Sequence, residues 1–114
     1  MKVNCKKKGN KFESDMAFKL RSELNWPHCW TSRFMGSLWE DSLGIDLTGT
    51  ENFQIQCKNC ERLNKNYHDI LADMPQNDKM NLVLHKKNNK GVIAAMMLDD
   101  LIPVSYTHLT LPTN

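Results

Sequence analysis

Two short segments constrain this chain most. They are Gly44-Ile45-Asp46-Leu47 and Phe53-Gln54-Ile55-Gln56-Cys57-Lys58, joined by the turn sequence Thr48-Gly49-Thr50-Glu51-Asn52. Side chains alternate along a strand, so Phe53, Ile55 and Cys57 share one face while Gln56 and Lys58 share the other. The first set is apolar and calls for burial. The second is polar. With Asp46 on the preceding strand it gathers an acid, an amide oxygen and an ammonium at one place.

Periodicity supplies the elements around this hairpin. Asn10 reads as a helix N-cap with Glu13 three residues on, the pattern of a capping box. Phe12, Met16, Ala17, Leu20 and Leu24 recur at helical spacing, which predicts a helix over residues 11–24. Pro27 follows as punctuation, and His28 to Arg33 is rich in strand formers. Residues 34–43, with Gly36, Ser37, Glu40 and Asp41, read as a loop before the strand Ile45 to Thr48. Leu63, Tyr67, Ile70, Leu71 and Met74 mark an amphipathic helix stopped by Pro75. Leu82-Val83-Leu84 within Asn81 to His85 is a buried-strand signature; Asn88, Asn89 and Gly91 make a turn, and Val92 to Leu98 returns as a strand. The order predicts an α/β protein with a mixed sheet flanked by helices.

At 114 residues the chain has room for one domain with a single core, placed at residues 10–102. Residues 1–9 are expected to form a flexible basic N-terminus. Residues 103–114 continue no earlier pattern. They are expected to be foreign to the domain, an adapter read as coding in a translated assembly, the alternative being an edge strand around Tyr106 and Thr107. No apolar run is long enough to span a membrane, and no apolar segment follows the N-terminal lysines. A cytoplasmic protein is the expectation.

A net charge of +2 does not by itself point to nucleic acid, but its distribution is uneven. Lys2, Lys6, Lys7, Lys8 and Lys11 crowd the start, and Lys86, Lys87 and Lys90 crowd a later loop. Such clusters bind phosphates with little sequence preference, or simply keep a terminus and a hairpin loop solvated. The four cysteines include Cys57-Lys58-Asn59-Cys60, which with Cys5, Cys29, His28 or His68 could hold zinc. A single C-x-x-C stands against that, since zinc modules generally pair two. So does the alternation that makes Cys57 a small core residue. A redox C-x-x-C needs to open a helix, which this one does not.

The polar set suits a hard cation bound to a phosphodiester. Phosphodiester hydrolysis needs a cation that neutralises charge and lowers the pKa of an attacking water. Mg²⁺ takes oxygen ligands and keeps several waters. Asp46 offers a carboxylate, Gln56 an amide oxygen and Cys57 a backbone carbonyl, with Lys58 beside them to stabilise developing charge. Glu13, on the flank of the first helix, can tilt toward the sheet and reach the same ion. Each has a plainer explanation: Glu13 as a capping partner, Asp46 as a turn residue before Gly49, Lys58 as a solvated strand end.

The ordered set resembles the PD-(D/E)XK nuclease superfamily, and within it the Holliday-junction-resolvase-like proteins of phages and archaea. The matching pieces are Lys8-Gly9-Asn10-Lys11-Phe12-Glu13, Thr31-Ser32-Arg33, Gly44-Ile45-Asp46, Ile55-Gln56-Cys57-Lys58 and Val83-Leu84-His85-Lys86. The resemblance as a whole runs over roughly residues 9–102, with these pieces spaced along it. The resemblance implies a restriction-endonuclease-like αβββαβ core and a homodimer that cuts four-way junctions or other branched DNA. It implies a site of Glu13, Asp46, Gln56 and Lys58 holding Mg²⁺, with Mn²⁺ able to substitute. Lys8, Lys11, Ser32, Arg33, Lys86 and Lys87 would contact DNA. One position departs: the superfamily usually has Glu where this chain has Gln56, so the site carries one negative charge fewer. The alternatives are a non-catalytic module that binds branched DNA, cleavage of linear duplex, and a zinc-stabilised structural protein.

Overall fold

The computed structural model describes residues 5–109. The elements run α1 (Cys5–Glu23), β1 (Trp30–Thr31), α2 (Leu38–Ser42), β2 (Leu47–Thr48), β3 (Phe53–Asn59), α3 (Tyr67–Asp73), β4 (Met80–Lys86), β5 (Val92–Ala95) and α4 (Leu98–Leu109). The five strands form one sheet in the order β1-β2-β3-β4-β5. β3 and β4 run parallel and every other neighbouring pair is antiparallel, so the sheet is mixed and the protein α/β. The crossover α3 is what permits the parallel pair.

The alternation read from β3 sorts its side chains as expected. Ile55 is fully buried with Phe12, Ala17, Cys29, Leu47 and Leu84, and Phe53 and Cys57 pack against that group, so α1 covers this face. A smaller cluster on the other face joins Ile70, Leu71 and Met74 to Val83, with Leu63, Tyr67 and Ala95 around it. Polar residues on this second face lie next to an apolar layer, and their fate differs along the strand. Gly49 has φ +67°, and a Cβ there would fall 2.0 Å from the His28 carbonyl oxygen, so this turn requires glycine.

Several boundaries differ from expectation. Helix α1 begins at Cys5, not after Asn10, because the lysines of residues 6–8 are good helix formers and Gly9 sits in open space. Asn10 is therefore interior to the helix and caps nothing. Its Oδ1 accepts from Arg33 instead, at 2.9 Å. Residues 5–9, expected to be flexible, are helical. Asn25, at φ +55°, ends the helix by entering the left-handed region. Strand β1 keeps only two of the residues 28–33, since the chain turns at once: Met35 N donates to Thr31 O at 3.1 Å and Phe34 N to Thr31 Oγ1 at 3.0 Å. The 34–43 loop contains the short helix α2. The second amphipathic helix starts only at Tyr67, capped by Asn66, whose side chain accepts from Asp69 N at 2.8 Å.

Helix α4 runs through the boundary drawn at residue 103 and carries Pro103 inside it, so the segment 103–109 is helix and not an edge strand. Asp99 and Asp100 in its first turn suit the positive end of the helix. Lys2 and residues 110–114 lie outside the described residues. No described helix is long and apolar enough to cross a membrane.

Candidate active site

The site forms where β2 and β3 part. Asp46 N donates to Ile55 O at 2.8 Å, which extends the ladder by one bond beyond the Leu47–Ile55 pair. There the side chain takes over: Cys57 N donates to Asp46 Oδ2 at 2.8 Å. The N–H and C=O of a strand residue point to the same edge, so the Cys57 carbonyl is turned toward Asp46 as well. Ser32 N donates to Asp46 O at 2.9 Å and fixes the residue from the β1 side.

Gly44 brings Gln56 into this group. It has φ +80°, and a Cβ there would stand 3.3 Å from Gln56 Nε2. Any other residue would strain the backbone and crowd the amide. Gln56 and Lys58 together face a cleft of about 360 Å³ whose far wall is Arg62, Leu63, Asn64 and Lys65.

Burial raises the Asp46 carboxyl from its ordinary 3.8 to about 7. The Cys57 N–H works against that shift, the carboxylates of Glu13 and Asp41 add to it, and the Lys58 ammonium opposes it. Asp46 therefore lies in electrostatic reach of Glu13, Asp41 and Lys58. Negative charge here is held against its preference, which is the condition a bound cation relieves. Burial also raises Glu13, opposed by Arg33, whose Nη1 lies 2.9 Å from Glu13 Oε1. Burial raises the Cys57 thiol far out of the nucleophile range, so this cysteine packs rather than reacts.

The structure thus brings Asp46, Gln56, Cys57 and Lys58 together, with Glu13 at the margin. Glu13 is already engaged by Arg33, so direct ligation by Glu13 requires that ion pair to open. The remaining donors are all oxygens: one carboxylate, one amide and one main-chain carbonyl. They fit a hard, largely hydrated cation such as Mg²⁺, and they do not fit zinc. Among the described residues no three His, Cys, Asp or Glu side chains converge as a metal-holding group. Cys29, Cys57 and Cys60 are free thiols, and Cys29 is fully buried.

The expected DNA contacts divide. Ser32 is fully buried and its hydroxyl donates to Ile45 O at 2.7 Å, so it braces the Gly44–Asp46 segment and meets no phosphate. Arg33 holds Glu13 and Asn10. Lys11 is exposed and paired with Asp15 at 2.8 Å. Lys8 Nζ donates to Asn88 Oδ1 at 2.8 Å, which joins the two basic clusters at one end of the molecule. Lys86 and Lys87 belong to the same end, since β4 finishes at Lys86. Lys58 pairs in register with His85, one residue before it. Arg62 and Lys65 were not singled out in the sequence, because a two-residue basic spacing in a loop shows nothing of the cleft it lines. The tryptophans also divide: Trp26 packs on the core against Phe53, whereas Trp39 is 68% exposed and Trp30 forms a surface stack with Phe34 under Arg21. No protein-family model, curated protein or solved structure matches this chain.

Proposed function

We propose that this protein is a divalent-metal-dependent endonuclease of the PD-(D/E)XK kind, acting on branched DNA. One observation carries the reading. The Asp46 carboxylate rests on the Cys57 N–H with Lys58 in electrostatic reach and Gln56 against Gly44, two residues before Asp46, at the point where two strands of a mixed five-stranded sheet separate. This arrangement supports reading the residues as an acid-x(n)-[Glu/Gln]-x-Lys site.

In this reading Asp46, Gln56 and the Cys57 carbonyl hold Mg²⁺, and Mn²⁺ can replace it. The ion, when bound, supplies charge neutralisation and an acidified water. Lys58 faces the cleft and stabilises charge that develops on the phosphate. Asp46 stays poised by burial so that it accepts a cation in place of a proton. Glu13 steadies the site through water, or directly once Arg33 moves to a phosphate. Two copies acting together would cut opposing strands of a four-way junction.

The test is cleavage of labelled junction, flap and linear duplex with Mg²⁺, by wild type beside Asp46→Asn and Lys58→Ala. Each variant is expected to lose at least a hundredfold in rate, about 2.7 kcal/mol of barrier, while still binding junction in EDTA. Normal cutting by both would remove the site assignment. A second reading rests on Gln56 and on the Glu13–Arg33 ion pair, which together lower the negative charge offered to a metal. It is a module that binds branched DNA without cutting it. Tight junction binding by wild type with no cleavage in Mg²⁺ or Mn²⁺ would select it.

A further inference from the structure

The loop between β3 and α3 is pinned at both ends by one buried side chain. His85 is 3% exposed, and both ring nitrogens are engaged. Nε2 lies 2.8 Å from Cys60 O and Nδ1 lies 2.8 Å from the Tyr67 hydroxyl. A carbonyl only accepts, so Nε2 carries the proton; in a neutral ring Nδ1 then accepts from the Tyr67 hydroxyl. Cys60 opens the loop and Tyr67 begins α3, so His85 ties its first residue to its last anchor. Two more bonds hold it: Cys60 N to Lys86 O at 3.1 Å, and Asn88 N to Glu61 Oε1 at 2.6 Å.

Between these anchors the residues Arg62 to Lys65 make a ridge with a cleft on each side. One cleft, of about 360 Å³, has Gln56 and Lys58 opposite the ridge; the other, of about 480 Å³, has Tyr67, His85 and Lys87. The acids nearby are engaged: Asp73 pairs with Lys65, and Glu61 accepts from the Asn88 N–H. Arg62 is exposed and borders both clefts. Lys58, Arg62 and Lys87 thus mark a cationic path from the candidate active site across the ridge, and the His85 strut holds both ends of the loop that carries Arg62.

From this geometry we infer that the ridge is a second phosphate-binding element, in which Arg62 takes a backbone phosphate of the strand whose scissile group lies at Asp46 and Lys58. Tyr67 and His85 are positioning residues for it. The inference rests on the endonuclease reading and names a subsite of the same DNA. A guanidinium on a fixed loop suits a phosphate because it donates two parallel hydrogen bonds.

The experiment measures binding of four-way junction and linear duplex in EDTA across a salt series. The proteins are wild type, Arg62→Ala, Arg62→Lys, Tyr67→Phe and the Tyr67→Phe/Arg62→Ala double variant. Arg62→Ala is expected to reduce the slope of log K against log salt by about one, with the same loss for every sequence and an unchanged melting temperature. Arg62→Lys should restore the slope but not the full affinity. Tyr67→Phe should weaken binding in the wild-type background and have no effect once Arg62 is gone, whereas a merely structural role would weaken both equally. An unchanged slope in Arg62→Ala, beside a normal wild-type slope, would overturn the ridge and leave the nuclease reading standing. Failure of wild type to bind any DNA at low salt would overturn both.

Discussion

Gln54 and Gln56 stand two residues apart on the same face of β3, yet they live in different surroundings. Gln54 is buried and closed. Its Nε2 donates to Pro75 O at 3.0 Å and to Asn81 Oδ1 at 2.6 Å, and its Oε1 accepts from Asn77 at 2.9 Å. Asn81 adds a bond to the same Pro75 carbonyl at 3.1 Å. Gln56 is half-buried, lies against Gly44 and faces the open cleft. The same residue type therefore welds the strand at one end and is left available at the other. A buried amide with every group matched contributes to a single fold; a half-open one keeps its oxygen free for a ligand.

The same substitution at the two positions separates them most sharply. Gln54→Glu places an acid against two carbonyl-type acceptors and removes both donors. The expected loss is about 3–5 kcal/mol of stability, since a buried charge without a partner costs that much. Thermal unfolding should show a fall of roughly 15–30 °C for a domain this size. A fall of less than a few degrees would mean that the Gln54–Asn81–Pro75 network is not what closes that end.

Asp46→Asn is expected to act next most strongly, and with the opposite sign at neutral pH. Below about pH 4 the Asp46 carboxyl is protonated whether folded or unfolded, and it costs nothing. As pH rises from there toward 7, the unfolded chain ionises first while the folded carboxyl stays protonated, so stability falls. The rise from 3.8 to about 7 sets a ceiling of about 4 kcal/mol. Asparagine keeps the acceptor for Cys57 N–H and has nothing to ionise. In EDTA the variant should melt higher than wild type at pH 8, with the gain fading as pH approaches 4. A constant difference across that range would locate the raised pKa elsewhere. In wild type, Mg²⁺ should recover part of the stability at pH 8, and at pH 7 and below it should release protons as it binds.

Legibility in the sequence follows the same division. The β3 alternation and the apolar run of β4 were readable because burial repeats with a fixed period, and those two strands lie parallel at the sheet centre. Asp46, Gln56 and Lys58 followed from the same period. What the sequence hid was whatever depends on distant partners. Arg33 reaches Glu13 across twenty residues of chain, so a residue read as a DNA contact turned out to hold a candidate ligand. Ser32 reads as a DNA contact from the sequence, but the chain turns at Thr31 and buries its hydroxyl against the Ile45 carbonyl. Helix α1 started early because lysine favours helix as readily as it favours solvent. His85 read only as part of a strand; its two partners, Tyr67 and Cys60, come from elements whose packing no local pattern records.

Gln56→Glu carries the smallest expected effect on stability and the most informative one on function. The new carboxylate enters a half-open cleft with Lys58 beside it, so without metal the change in unfolding free energy should stay below about 1 kcal/mol. It adds a second full negative charge next to Asp46, which opposes ionisation of both acids until a cation arrives. Mg²⁺ affinity, measured by isothermal titration calorimetry at pH 8, should therefore rise about tenfold, or about 1.4 kcal/mol. The gain should shrink as pH falls below 7, where Asp46 takes a proton in competition with the metal. Equal Mg²⁺ affinity in the two proteins at pH 8 would show that Gln56 points at the cleft without facing the ion. The difference between Gln54 and Gln56 would then be one of burial alone.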